Sequence, residues 1–251
     1  MIDFSEKKIV IFDLDDTLAE SKKAMDLEMS ELVNKLLEVK KVAVISGGAY
    51  AQYQKQFLVS LNAPESLLSN LWLFPTCATV CYQYVDGDWS CLYSQDLTQE
   101  EKEKIFDVFE KVIQEYGHAP EQVWGDMIED RGTQITFSAL GQQAPIEAKR
   151  GWDPDSQKRL AMKVLLEKYV PEFEVRTGGT TSIDITRKGI DKAYGIRQIE
   201  KLLGYTHADM LFVGDALHPG GNDYPVKAMG VDSIAVTGHE DTKQVIREIL
   251  K

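Results

Sequence analysis

Asp13 and Asp15 are the first residues in this chain on which chemistry can rest. They stand two apart in Phe12-Asp13-Leu14-Asp15-Asp16-Thr17, directly after the apolar run Ile9-Val10-Ile11-Phe12. A spacing of two puts both side chains on the same side of an extended backbone. Carboxylates held together repel, which costs stability unless a cation or a proton lies between them. Taken alone, the stretch reads equally well as a loop of solvated acids. Polar groups, however, also follow other apolar runs. Ser46-Gly47-Gly48 follows residues 42–45, and Gly214-Asp215 with Gly220-Gly221-Asn222-Asp223 follows residues 210–213. Lys192 stands in the first turn of a predicted helix. Four acids, one lysine and one hydroxyl suit a hard cation and an anionic oxygen.

The elements that must position these groups alternate. Residues 9–12, 42–45 and 72–74 read as buried strands, and 25–39 and 49–61 as helices, with Leu32, Val33, Leu36 and Leu37 on one face of the first. This order predicts an α/β core with a Rossmann-like parallel sheet. In such sheets ligands bind beyond the carboxyl ends of the strands. The small residues of Ser46-Gly47-Gly48 open the start of a helix, where backbone N–H groups bind anions.

The pattern then changes. Residues 82–85 and 89–93 around Asp86-Gly87-Asp88 read as a β-hairpin. A helix follows, with Thr98 and Glu101 as a capping box and Gly117 as its end. Further strands are expected at 134–139, 173–176 and 182–186. A helix is expected from Asp153 as N-cap, with Pro154 at its first position. This stretch reads as an inserted α+β cap. The expected division is a core of residues 1–81 and 188–251 and a cap of residues 82–187. Past residue 188 the core pattern resumes, with a helix ending at Gly204, strands at 210–213 and 233–236, and a closing helix at 240–250.

With 251 residues, 43% hydrophobic and 27% charged, the chain is long enough for a large core and ordinary in composition. Its net charge of −12 argues against nucleic acid or an anionic membrane as partner, since either needs a basic face. The expected location is cytoplasmic: Cys77, Cys81 and Cys91 are odd in number, and no apolar run is long enough to span a bilayer. Cys77 and Cys81 lack a fourth zinc ligand nearby, and all three read as buried free thiols. His118, His207 and His239 lie in predicted turns and His218 precedes Pro219; the chemistry needs none of them.

In order, DLDDT, SGG, the lysine of KGIDK and GDALHPGGND resemble the four motifs of haloacid dehalogenase-like phosphotransferases with a type 2 cap. GDALHPGGND, GGTTSIDIT followed by KGIDK, and IEDRGTQITFSALG look most like eukaryotic phosphomannomutases. The resemblance implies Asp13 as nucleophile, forming an aspartyl phosphate, and Asp15 as general acid and then base. It implies Mg²⁺ held by Asp13, the Asp15 carbonyl and Asp215, with Asn222 and Asp223 in support. Ser46, Gly47 and Lys192 would hold the transferring phosphoryl group. Asp13 is expected ionised beside the metal, and Asp15 raised by negative neighbours and burial.

The resemblance further implies a small sugar phosphate as partner, bound in the cap by Arg131, Ser182 and Asp184. Lys22 stands where the family has an arginine. Gln142 and Lys149 also replace family arginines, with Arg150 adjacent. Lysine lacks the planar fork that grips phosphate, and glutamine carries no charge. A mutase must retain a bisphosphorylated intermediate, whereas a phosphatase need not. The weaker grip favours a hexose phosphate phosphatase, with phosphomannomutase as the alternative. A non-catalytic phosphosugar-binding module is a third reading, opposed by the intact Asp13, Asp15, Lys192 and Asp215. The expected assembly is a monomer or a cap-mediated homodimer.

Overall fold

The computed structural model describes residues 2–117, 120 and 122–251, so His118 lies outside the described residues. Two compact units emerge, one of Met1–Ser94 with Ile190–Lys251 and one of Gln95–Gly189.

In the first unit, β1 (Ile9–Phe12) leads to α1 (Leu27–Val39), β2 (Lys41–Ile45), α2 (Tyr50–Tyr53), α3 (Glu65–Leu68) and β3 (Leu71–Phe74). A left-handed turn, α4 (Pro75–Ala78), precedes the hairpin β4 (Val80–Val85) and β5 (Asp88–Ser94). The second unit holds α5 (Gln99–Tyr116), β6 (Ile128–Asp130), β7 (Gln134–Ser138), α6 (Ile146–Trp152), α7 (Gln157–Tyr169), β8 (Phe173–Gly178) and β9 (Ser182–Arg187). The chain then completes the first unit with α8 (Lys192–Leu203), β10 (Met210–Gly214), α9 (Tyr224–Ala228), β11 (Asp232–Ala235) and α10 (His239–Ile249).

The first unit is built on a seven-stranded sheet in the order β11-β10-β1-β2-β3-β4-β5. The pairings from β11 through β3 are parallel, and β4 and β5 are antiparallel additions. β1 is central, and all four of its residues are 0% exposed, as expected of a strand covered on both faces. Val10 and Phe12 pack into one apolar cluster with α1 and α10, while Ile9 and Ile11 pack into another with α8 and α9. This layering is the expected α/β core.

The hairpin differs from the expectation that it opens the cap. Leu73 pairs with Tyr82 and Trp72 with Gln83, so the hairpin extends the core sheet. Its antiparallel sense alone could not reveal that.

In the second unit, β6-β7-β9-β8 form an antiparallel sheet. Ile135, Phe137, Val175, Ile183 and Ile185 pack with Ile105, Phe109 and Val112 of α5 and Met162 and Leu166 of α7. The capping box between Thr98 and Glu101 is formed, and Gly117 ends α5 at φ 70°. Other local expectations fail. The stretch before Trp152 contains α6, and Asp153 closes α6 instead of capping α7 directly. Its carboxylate still accepts the Lys158 and Arg159 N–H groups, at 3.0 and 3.2 Å, and binds Arg159 Nε at 2.8 Å. The helix expected over 49–61 stops after Tyr53 and passes into a π-helical segment, Gln54–Leu58. Cys81 is buried, but Cys77 is intermediate and Cys91 exposed, so the expected burial of all three holds only for Cys81.

Candidate active site

The polar groups that form the centre of the first unit's site, Asp13, Ser46, Asp215 and Lys192, follow the carboxyl end of a strand or open a helix, while Lys22 lies in the loop between β1 and α1. Asp13 continues the ladder of β1, its N–H donating to the Val213 carbonyl at 3.0 Å. Ser46 follows β2, two residues beyond the Val44 that pairs with Phe12. Asp215 follows β10. Lys192 is the first residue of α8, whose N-cap Asp191 accepts the Tyr194 N–H at 2.7 Å. That helix lies close to the sheet because Gly195 has no side chain. A Cβ there would sit 2.9 Å from Ile45 Cδ1 and 3.2 Å from Ala78 Cβ.

These elements bring Asp13, Asp215, Asp223 and Lys192 together. One carboxylate oxygen from each of the three aspartates lies within 4.8 Å of the others. Asp13 and Asp223 are buried, and Asp215 is the most open of the three. Lys192 Nζ, on a side chain 1% exposed, binds Asp13 Oδ1 at 2.7 Å and also contacts Asp223 Oδ1. Asp223 Oδ2 accepts the Ala216 N–H at 3.0 Å. Two glycines permit this approach. A Cβ on Gly214 would meet Asp223 Oδ2 at 2.3 Å, and one on Gly221 would meet the Ala216 carbonyl at 2.0 Å. Asn222 is exposed.

Burial pushes the Asp13 carboxyl up; Lys192 opposes this and the Asp223 charge adds to it. Burial and Asp223 also raise Asp215. Burial alone would lower Lys192, but Asp13 and Asp223 raise it above its ordinary value. An excess of carboxylates over cations in a dry pocket is a state that a divalent ion relieves. All-oxygen donors of this kind fit Mg²⁺.

Asp15 behaves differently from expectation. Burial raises it, but the Lys22 charge and hydrogen bonds to Gln56, the Lys22 backbone and Gln52 more than offset that, and its net shift is downward. Gln52 Nε2 donates to Oδ2 at 2.7 Å, Gln56 Nε2 to Oδ1 at 3.0 Å and the Lys22 N–H to Oδ1 at 3.1 Å. Sequence reading passed over both glutamines. Their signal was a spacing of four residues after Ser46-Gly47-Gly48, one helical turn apart. Gln56 is 3% exposed and also accepts from Gln52 Nε2 at 2.9 Å. Lys22 is exposed, at φ 64°, with Nζ donating to Gln52 Oε1 at 3.1 Å.

Ser46 is buried, and its Oγ accepts the Gly48 N–H at 3.1 Å; Gly47 is intermediate. The turn α4 holds this loop from behind. Thr76 N–H donates to the Gly48 carbonyl at 3.0 Å and Cys77 N–H to the Ser46 carbonyl at 2.9 Å.

Within the second unit, the polar face of the sheet carries Ser182 and Asp184, while Arg131 lies between β6 and β7 and Lys149 on α6. Alternation along β9 puts Ser182, Asp184 and Thr186 on one face, while Ile183 and Ile185 enter the apolar cluster. Asp184 pairs in register with Thr136 and Arg176, and accepts from Thr136 Oγ1 at 2.7 Å. Arg131 binds Glu129 Oε2 through Nε at 2.8 Å and Nη2 at 2.7 Å. Lys149 Nζ donates to the Gln142 carbonyl at 3.0 Å, and Arg150 is exposed, 3.6 Å from Glu147. His207 and His239 meet acidic partners, and the exposed His218 ring lies 3.2 Å from the Pro219 carbonyl.

Comparison with known proteins agrees with this fold. The family profile described as Eukaryotic phosphomannomutase matches residues 29–251. A phosphomannomutase of Encephalitozoon cuniculi is 26% identical over 262 residues, covering 98% of this chain and 94% of that protein. One of Spinacia oleracea is 28% identical over 250 residues, covering 96% and 95%. Among solved structures, a haloacid dehalogenase-like hydrolase from Bacteroides thetaiotaomicron has a TM-score of 0.67 at 14% identity, covering 97% of this chain and 99% of that one. An N-terminally truncated Plasmodium falciparum IMP-nucleotidase has a TM-score of 0.71 at 16% identity, covering 98% and 71%. These two likenesses concern the fold. On the family match, with its acidic pocket at the strand ends, this chain belongs to the eukaryotic phosphomannomutase family of haloacid dehalogenase-like phosphotransferases.

Proposed function

We propose that the chain carries a phosphoryl group on Asp13 and interconverts mannose 1-phosphate and mannose 6-phosphate. The observation that carries the phosphoryl-transfer part is the buried contact of Lys192 with both Asp13 and Asp223, with Asp215 at the same point. The names of the relatives support the sugar.

In this reading an Asp13 oxygen attacks phosphorus while the bond to the sugar oxygen breaks. A dianionic phosphate repels a carboxylate, and the Lys192 ammonium offsets that repulsion. Asp13, the Asp15 carbonyl and Asp215 would hold Mg²⁺, with Asp223 in support. The metal, when bound, neutralises charge on the phosphoryl oxygens. Ser46 and Gly47 bind the same oxygens. Asp15 gives a proton to the departing sugar oxygen and later takes one from the accepting hydroxyl. At rest it is held as an anion by Gln52, Gln56 and the Lys22 N–H, the form of a base. A bound phosphate brings the negative charge that raises its pKa for the acid step. Lys22, Arg131, Lys149, Ser182, Asp184 and Asn222 complete the proposed substrate contacts.

A second reading, hydrolysis of a hexose phosphate, has a specific observation in its favour. Lys149 is turned onto the Gln142 carbonyl and Arg131 onto Glu129. The Arg131 fork is engaged by Glu129, and Lys149, as a lysine, has no planar fork with which to retain a second phosphate. The test is one pair of assays with Mg²⁺. Inorganic phosphate release is measured across a panel of hexose phosphates, and mannose phosphate interconversion is measured with a hexose bisphosphate activator. Interconversion faster than release supports the mutase; release with no interconversion overturns it in favour of the phosphatase.

A further inference from the structure

Thr136 is 1% exposed, lies on the polar face of the second unit's sheet, and has no part in the chemistry above. Its hydroxyl donates to Asp184 Oδ1 at 2.7 Å and accepts from Gln134 Nε2 at 2.9 Å. A hydroxyl has a single proton to give. Because the Gln134 amide supplies the other bond, that proton is committed to Asp184, and the chain runs one way. Gln134 is 3% exposed, so the relay is dry and directional.

The other Asp184 oxygen is located by an absence of side chain. A Cβ on Gly178 would stand 2.9 Å from Oδ2. The Gly178 carbonyl is itself held by Arg159 Nη1 at 3.2 Å, and the Arg159 Nε binds Asp153 at 2.8 Å. Thr136 therefore fixes one edge of the carboxylate, and the lack of a side chain at Gly178 leaves room for the other.

We propose that Thr136, backed by Gln134, is a positioning residue that aims the Asp184 carboxylate and so sets which sugar this unit accepts. This rests on the reading of Asp184 as a sugar contact. A carboxylate recognises a hydroxyl by direction as well as charge, and one lost hydrogen bond to it costs roughly tenfold in affinity. With the Thr136 proton removed, Asp184 loses the bond that directs Oδ1 and discrimination falls.

The experiment measures a ratio: kcat/KM for mannose 6-phosphate divided by kcat/KM for p-nitrophenyl phosphate, which has no sugar hydroxyls. A general folding defect lowers both and leaves the ratio alone. Thr136→Val, which keeps the shape and loses the hydroxyl, is expected to lower the ratio about tenfold. Thr136→Ser is expected to restore it to within about twofold of the parent. Gly178→Ala approaches the same carboxylate from the opposite edge and is expected to lower the ratio too, which carries the test should Thr136→Val fail to fold. Asp184→Ala separates the two claims. If it collapses the ratio while Thr136→Val and Gly178→Ala leave it unmoved, the positioning role is wrong and the sugar contact stands. If Asp184→Ala leaves the ratio unmoved, the sugar contact is wrong and the positioning role falls with it. A parent protein silent on mannose phosphates overturns both.

Discussion

Lys192 Nζ lies 2.7 Å from Asp13 Oδ1, with 1% and 6% of the two side chains exposed, and the same ammonium contacts Asp223. One cation is thus shared by two buried carboxylates. Lys192→Met leaves both acids in a dry pocket without it. Unfolding in urea is expected to show a loss of about 3–5 kcal/mol, along with loss of turnover. Added Mg²⁺ should recover part of the melting temperature of the variant, because it binds only the folded acids. An unchanged urea midpoint contradicts the pair's structural role.

Asp13→Asn should abolish turnover with every ester, since the amide is no nucleophile. Asp15→Asn should depend on the leaving group. Sugar phosphates need a proton on the departing oxygen and are expected to lose about 10²–10⁴-fold, whereas p-nitrophenyl phosphate should lose much less. Equal losses with both esters exclude the acid role.

The two glutamines on Asp15 give a pH signature. Hydrogen bonds to a carboxylate favour its charged form and hold its pKa down. Gln56→Met removes a donor at 3.0 Å from Asp15 Oδ1. The pKa of Asp15 should rise, so the acidic limb of the rate of aspartyl phosphate breakdown should move to higher pH. A limb that stays in place means that another group controls it.

Metal binding should be pH-dependent for a separate reason. Burial, with the Asp223 charge, pushes Asp13 up to about 7 against the opposing pull of Lys192 when no metal ion is bound. Below that pH a proton competes for the carboxylate, and above it the site is open. Calorimetric Mg²⁺ affinity should therefore weaken as pH falls through 7, with proton release on binding near neutrality. Affinity that is flat across this range counts against Asp13 as a ligand.

Acid stability of the second unit should draw on Glu101. A hydrogen bond from Arg187, with further bonds at the Thr98 cap, holds Glu101 down at about 2, although some burial opposes it. The folded pKa lies below the unfolded value of about 4.3. The contribution is thus present above that value and lost as pH falls toward 2. Glu101→Gln should cost about 1 kcal/mol at neutral pH and little in strong acid. A penalty that persists at low pH assigns the cost to packing.

Much of this protein follows from local order along the chain. Ile9–Phe12 had to be a central strand because four consecutive apolar residues, three of them β-branched, leave no face for water. Once the strands alternated with helices, Asp13, Ser46 and Asp215 had to follow strand ends, where such sheets place ligands. Gly117, Gly204 and the Thr98–Glu101 box marked helix ends through bonds that span a few residues. Tertiary structure decided what depends on partners far away in sequence. The hairpin of β4 and β5 joined the core because β3 offered an open edge, which its own residues do not encode. Asp15 became a bound anion because α2 and the π-helical segment that continues it, some forty residues on, present Gln52 and Gln56 to it. Arg131 and Lys149 met the Glu129 carboxylate and the Gln142 carbonyl because the fold brings those oxygens within reach. Residue type determined which groups could do chemistry; only packing decided which carboxylate would sit beside Lys192 and which would lie against an amide.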